Sequence, residues 1–273
     1  MSWLPASIRR LLPGWRHDAP EAFLLEGRRP GAHTVVVCAG DSLTHGLVSA
    51  SYVDRLDRQL RPAGYQIVNA GVNGDLAFNV LARLDEVVAC GPDVVTLLVG
   101  TNDINARFNA TWERRYRKNQ GLPVAPTLDF YVSNVNAIIT RLRRETKARV
   151  VLLEIPMLGE DLGGPMNGLV REYNAALHAI AAQRGLACLP LYDRLVGLLP
   201  AGHEPTPYTG DISAVMWAGV ASMLARRSWD EIAQRNGLVA LTDHIHLSDR
   251  AADVVAELVA GALGHEVHSI CTD

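Results

Sequence analysis

The run Thr34–Cys38 (TVVVC), leading straight into 39–46 (AGDSLTHG), decides the fold. Successive β-branched residues without polar alternation read as a strand covered on both faces. A glycine-bearing loop follows, and then an amphipathic helix around Ser51–Leu60. Buried strand, loop and covering helix make the repeating unit of a parallel sheet.

Working outward, the alternation continues. Further strands are expected at Tyr65–Val68, Val94–Val99, Val150–Ile155 and Leu186–Leu191, with a helix over Leu76–Ala89. Leu128, Tyr131, Val135, Ile138 and Leu142 mark one face of another helix at 3.6-residue spacing. Asn167–Arg184 and Ser248–Leu263 supply two more, the last with Ser248 as its N-cap. The fold class is therefore α/β, a three-layer α/β/α sandwich on a mainly parallel, five-stranded sheet. Right-handed crossovers then gather the loops after the strands at one edge, where open sheets build their sites.

One domain is expected over 34–264, between an N-terminal extension (1–33) and a short tail (265–273). Two stretches interrupt the alternation. Residues 105–126 are polar, basic and loop-like, and either overhang the site edge or pad the surface. Residues 199–241 carry a Pro/Gly-rich loop and then an apolar helical run, Ile212–Leu224, with Met216, Trp217 and Met223. That second insertion reads as a lid or acyl-binding wall.

A net charge of -3 lacks the concentrated positive charge that phosphate binding needs, so no nucleic-acid partner is expected. Cys38, Cys90, Cys188 and Cys271 are scattered, with no Cys-x-x-Cys pair to suggest zinc. Free thiols in a reducing compartment fit better. The N-terminus lacks the apolar core of a secretory signal and no segment has transmembrane length, so a cytoplasmic location is expected. Ile8, Leu11, Leu12 and Trp15 recur at helical spacing among Arg9, Arg10 and Arg16. This stripe is either a short helix docked on its own domain or, through residues 3–16, a weak membrane-surface contact. Pro13 interrupts it and favours the first. Oligomeric state is not legible.

The expected site edge concentrates chemistry. The first strand runs into Asp41-Ser42, the second into 69–75 (NAGVNGD), and the third into Gly100-Thr101-Asn102-Asp103. The loop before the final helix is Asp243-His244-Ile245-His246. Acyl transfer by serine needs a hydroxyl, a base, a group to orient that base, and donors for the oxyanion. Ser42 offers the hydroxyl, Gly74 a backbone amide and Asn102 a side-chain amide. The three-residue offset of Asp243 and His246 lets one turn fold the carboxylate against one ring nitrogen, leaving the other for Ser42. His244, one residue from Asp243, is the weaker candidate base, and His45 lies too close to Ser42 in sequence to swing back. Asp41 and Asp103 read as loop anchors, and Asn73 and Thr101 as supports of the oxyanion donors.

These four blocks, GDSLT, NAGVNGD, GTND and DHIH, resemble in order the signature blocks of the SGNH, or GDSL, hydrolases. The resemblance covers roughly residues 34–264. It implies a flavodoxin-like sheet, Ser42 as nucleophile, and the Asp243–His246 pair as orienting acid and base. It further implies that the amides of Ser42 and Gly74 and the side chain of Asn102 hold the oxyanion. A small or lipid-like ester is the implied substrate, hydrolysed without cofactor or metal. The long 199–241 segment departs from the smallest members of that family and leaves acyl length open. Thioester and acetylated-sugar hydrolysis stay open too, as does a non-catalytic ligand-binding domain. The phosphate-binding glycine patterns a nucleotide domain would need are missing.

Overall fold

The computed structural model describes residues 18–204, 208 and 227–264. The basic stripe within 3–16, the apolar run Ile212–Leu224 and Cys271 lie outside the described residues.

Strand β1 (Thr34–Gly40) shows why the chain makes a buried parallel sheet. Its side chains alternate between two cores: Val35, Val37 and Ala39 on one face, Val36 and Cys38 on the other. All five are fully buried, and each buried valine contributes about 1.5–3 kcal/mol against exposure. With β2 (Tyr65–Gly71), β3 (Val94–Leu98), β4 (Arg149–Leu153) and β5 (Ala187–Leu189) it forms one all-parallel sheet, in the order β2-β1-β3-β4-β5. The order reverses between β1 and β3, which opens a crevice at their carboxyl ends. Gly40 stands opposite both Gly71 and Leu98 there.

The described helices follow in chain order: α1 (Pro20–Glu26), α2 (Ser42–His45), α3 (Tyr52–Leu60), α4 (Ala77–Ala82), α5 (Leu84–Ala89) and α6 (Thr101–Phe108). After them come α7 (Ala110–Gln120), α8 (Leu128–Glu145), α9 (Pro165–Arg184), α10 (Leu191–Val196), α11 (Trp229–Arg235) and α12 (Asp249–Ala262). Helices α4, α5, α8 and α9 cover one face of the sheet, and α3, α10 and α12 the other. Helix α1 joins the first layer through Phe23, and Asn69 N donates to Asp18 O at 2.7 Å. Among the described residues no helix is long and apolar enough to cross a membrane.

Three expectations need correction. The stretch 105–126 is not a loop: it completes α6 and forms α7. Asn109 caps α7 by accepting from Thr111 N and Trp112 N, while Trp112 and Tyr116, one turn apart, bury themselves with Leu76, Ala106 and Leu122 in a small third core. Two aromatics in a run of charges are too thin a stripe to register as periodicity. The single helix over Leu76–Ala89 is two, broken at Arg83 (φ -107°, ψ 19°). Its guanidinium there turns inward to donate to Gly40 O and Ala70 O at 3.0 and 2.9 Å. Strand β5 ends at Leu189, because Pro190 has no N–H to continue a ladder and Leu191 already opens α10.

Candidate active site

Ser42 sits two residues beyond the end of β1, at the first position of the short helix α2. Asp41 caps that helix, its Oδ1 accepting from Leu43 N at 3.0 Å. Thr44 Oγ1 lies 3.1 Å from Tyr52 OH, tying α2 to α3. Helix α2 presses closely on the end of β2: a Cβ on Gly71 would stand 2.2 Å from His45 N. Only glycine allows that approach.

The loop before α12 is shaped by its own hydrogen bonds. Leu241 and Leu247 form an antiparallel bridge, and Thr242 N donates to His246 O at 2.7 Å. Within that turn Asp243 Oδ1 accepts from Ile245 N (3.1 Å) and His246 N (2.8 Å). Its second oxygen, Oδ2, lies 2.7 Å from His246 Nδ1, and His246 Nε2 lies 3.0 Å from Ser42 Oγ. Residues 204 positions apart thus meet in one hydrogen-bonded chain. Ser42, Asp243 and His246 are all buried. Burial by itself disfavours the imidazolium of His246. The charge and hydrogen bond of Asp243, with Asp41 adding, outweigh it and raise the pKa above the ordinary value. His244 goes elsewhere. Its backbone is left-handed (φ 71°) and its ring stacks on Tyr208 at 5.5 Å.

A cleft of about 300 Å³ opens over Ser42 and His246. Gly74 and Asn102 line it as well; Gly74 has φ 82°, a conformation that favours glycine. Asn102, at the start of α6, is buried and tightly held. Its Nδ2 donates to Asp75 O at 2.9 Å and approaches Asp41 Oδ2 at 3.4 Å, and its Oδ1 accepts from Tyr116 OH at 2.5 Å. Asp103 anchors the next loop by accepting from Ala77 N at 3.1 Å. Burial pushes the carboxyls of Asp41 and Asp103 each up to about 7. Asn73 lines the cleft; Thr101 is buried at the head of α6 and does not.

Helix α7 walls the cleft next to Asn102 and Gly74: Tyr116 OH donates to Asn102 Oδ1, and a Cβ on Gly74 would stand 2.7 Å from Gln120 Nε2. Trp112, Arg115, Tyr116, Asn119 and Gln120 all face the cleft, spaced i, i+3, i+4, i+7 and i+8 along one helix face. Three further residues, none of them marked by a sequence motif, support the site. Tyr116 is one. The second is Arg83, which also donates to Asp75 Oδ2 at 2.6 Å and so pins the loop after β2. The third is Glu160, whose wholly buried carboxylate accepts from the backbone amides of Val239, Ala240 and Leu241 at 2.8–3.0 Å. Glu160 also pairs with His203 Nε2 at 2.6 Å. A Gly-Glu pair in the loop after the fourth strand was the one available signal for it, and a weak one.

A parallel sheet of this order, with polar groups converging at its carboxyl edge, defines an α/β protein whose site lies at the topological switch point. Residues 38–254 match the GDSL-like lipase/acylhydrolase family, and the chain belongs to it; it is a carboxylic ester hydrolase. Among solved structures it is similar to the acetyl xylan esterase AlAXEase, at 19% identity over 84% of this chain and 99% of that one, with a TM-score of 0.59. Axe2, an acetylxylan esterase from Geobacillus stearothermophilus, is 19% identical over 88% of this chain and 98% of its own, with a TM-score of 0.58. Likeness at such identity shows the fold. Catalytic mutants of Axe2 replace a serine, an aspartate and a histidine, the last two three positions apart. No curated protein matches this chain.

Proposed function

We propose that the chain hydrolyses short-chain acyl esters of polar alcohols through an acyl-enzyme on Ser42. The observation that carries this is the hydrogen-bonded chain from Asp243 through His246 to Ser42, at 2.7 and 3.0 Å. In the first half-reaction Ser42 Oγ attacks the acyl carbonyl carbon while its proton passes to His246 Nε2. The carbonyl oxygen, now an oxyanion, is held by the amides of Ser42 and Gly74 and by Asn102 Nδ2. Collapse breaks the C–O bond, and the imidazolium returns its proton to the departing alcohol oxygen. Water, deprotonated by the same nitrogen, then releases the acid. Asp243 orients the ring and stabilises its charged form. The Axe2 mutants, with the same Asp-x-x-His offset, support these roles.

The cleft supports a small acyl group on a polar alcohol. Arg115, Asn119, Gln120 and Asn73 line it with hydrogen-bonding groups beside the Trp112 ring. Similarity to two acetylxylan esterases points the same way. The partner is then a small-molecule ester rather than nucleic acid. Cys38, Cys90 and Cys188, all free thiols, suit a reducing compartment such as the cytoplasm. A fluorophosphonate probe tests the chemistry: the protein should label, and Ser42→Ala should not. With p-nitrophenyl esters from acetate to palmitate, rates should be greatest for the shortest chains. A preference for palmitate would instead make the protein a lipase, and absence of labelling on folded protein would end the hydrolase mechanism.

A further inference from the structure

We propose that Tyr116 is a positioning residue for ester hydrolysis, its hydroxyl setting the orientation of the Asn102 carboxamide. The inference rests on the reading of Asn102 as an oxyanion donor. A carboxamide has two ends of nearly equal shape, so its neighbours decide which way it faces. At one end stands the carbonyl of Asp75, which can only accept, 2.9 Å from Nδ2. At the other, Tyr116 OH donates to Oδ1. Burial pushes the Tyr116 pKa up, which keeps the proton on that hydroxyl. The ring is itself held in place, buried and stacked on Trp112 at 5.5 Å.

This leaves one N–H of Asn102 without a short bond. Its nearest acceptor is Asp41 Oδ2, at 3.4 Å, too long for a strong hydrogen bond. That N–H is the one available to a substrate oxygen beside Ser42. Without the Tyr116 hydroxyl, Oδ1 loses its partner and the carboxamide is free to turn about its Cβ–Cγ bond. Rotation that shortens the contact to Asp41 spends the second N–H on a carboxylate and withdraws it from the oxyanion. Helix α7 would thereby take part in catalysis at one remove.

Tyr116→Phe keeps the ring and its stacking and removes only the hydroxyl. It should lower kcat by about 10–100-fold, as loss of a group that orients another commonly does, with KM for p-nitrophenyl acetate changed by no more than about twofold. The discriminating measurement is a double-mutant cycle with Asn102→Ala, each variant checked for an unchanged thermal midpoint. If Tyr116 acts through Asn102, adding Tyr116→Phe to Asn102→Ala should cost less than about threefold more. Wild-type kcat in Tyr116→Phe overturns the inference, and so does an equal loss in both backgrounds, which marks a general packing role. Should Tyr116→Phe not fold, the same cycle is run with Tyr116→Trp, which retains an aromatic stack but moves the donor, and the same two outcomes decide. Wild-type kcat in Asn102→Ala alone would sink the oxyanion reading itself, a result distinguishable from either.

Discussion

Asp243→Asn separates the electrostatic part of the site from its scaffolding. The carboxylate does two jobs with two different oxygens. Oδ1 accepts from Ile245 N and His246 N and so shapes the turn, while Oδ2 faces His246 Nδ1. Asparagine keeps one oxygen for the two amides, so the turn should survive. Its NH2 then points at Nδ1, which must become an acceptor, and the ring proton moves to Nε2. That nitrogen, 3.0 Å from Ser42 Oγ, can no longer take the serine proton. Loss of the correct tautomer in a serine triad costs about 10⁴ in kcat, or about 5.5 kcal/mol at 1.36 kcal/mol per decade. The assay is p-nitrophenyl acetate hydrolysis, with circular dichroism and the thermal midpoint as controls. Folded Asp243→Asn with activity within tenfold of the parent would refute the assignment of both Asp243 and His246. Asp243→Ala is a worse probe, since it also strips the acceptor from two buried amides.

The acid limb of kcat/KM should follow His246: activity requires the neutral ring, so it rises with pH through a midpoint above the ordinary histidine value and falls below it. The sign for stability is opposite, because a raised folded-state pKa stabilises fully below the unfolded value and is lost as pH rises through the folded one; denaturant titrations across that range check it. Asn102→Ala should lose about 2.7–4 kcal/mol of transition-state stabilisation, read as a fall in kcat, and a near-normal rate would remove it from the oxyanion site. Arg83→Met should destabilise by about 3–5 kcal/mol, since it leaves the buried Asp75 carboxyl without its cation; calorimetry should show the midpoint falling by about 2–4 °C per kcal/mol. Glu160→Ala should also lower the midpoint, by at least about 2 kcal/mol equivalent, because the amides of residues 239–241 lose their acceptor, and kcat should fall with it if this segment holds the Asp243–His246 turn in register.

The parallel sheet was legible in the linear chain because β-branched runs such as Thr34–Cys38 bury side chains on both faces, and alternation with amphipathic helices leaves few other architectures. The candidate residues Ser42, Gly74, Asn102, Asp243 and His246 were legible too, each just past a strand or just before the last helix, where topology collects them at one edge. What only the tertiary structure decided was what surrounds them. Helix α7 escaped notice because a wall needs only two buried aromatics, Trp112 and Tyr116, and its remaining positions are free to be polar. Arg83 interrupts a helix to reach carbonyls on two strands, and Glu160 collects amides about eighty residues downstream. Such contacts follow from proximity in space, and hydrogen bonds formed across distant segments leave no periodic trace in the order of residues.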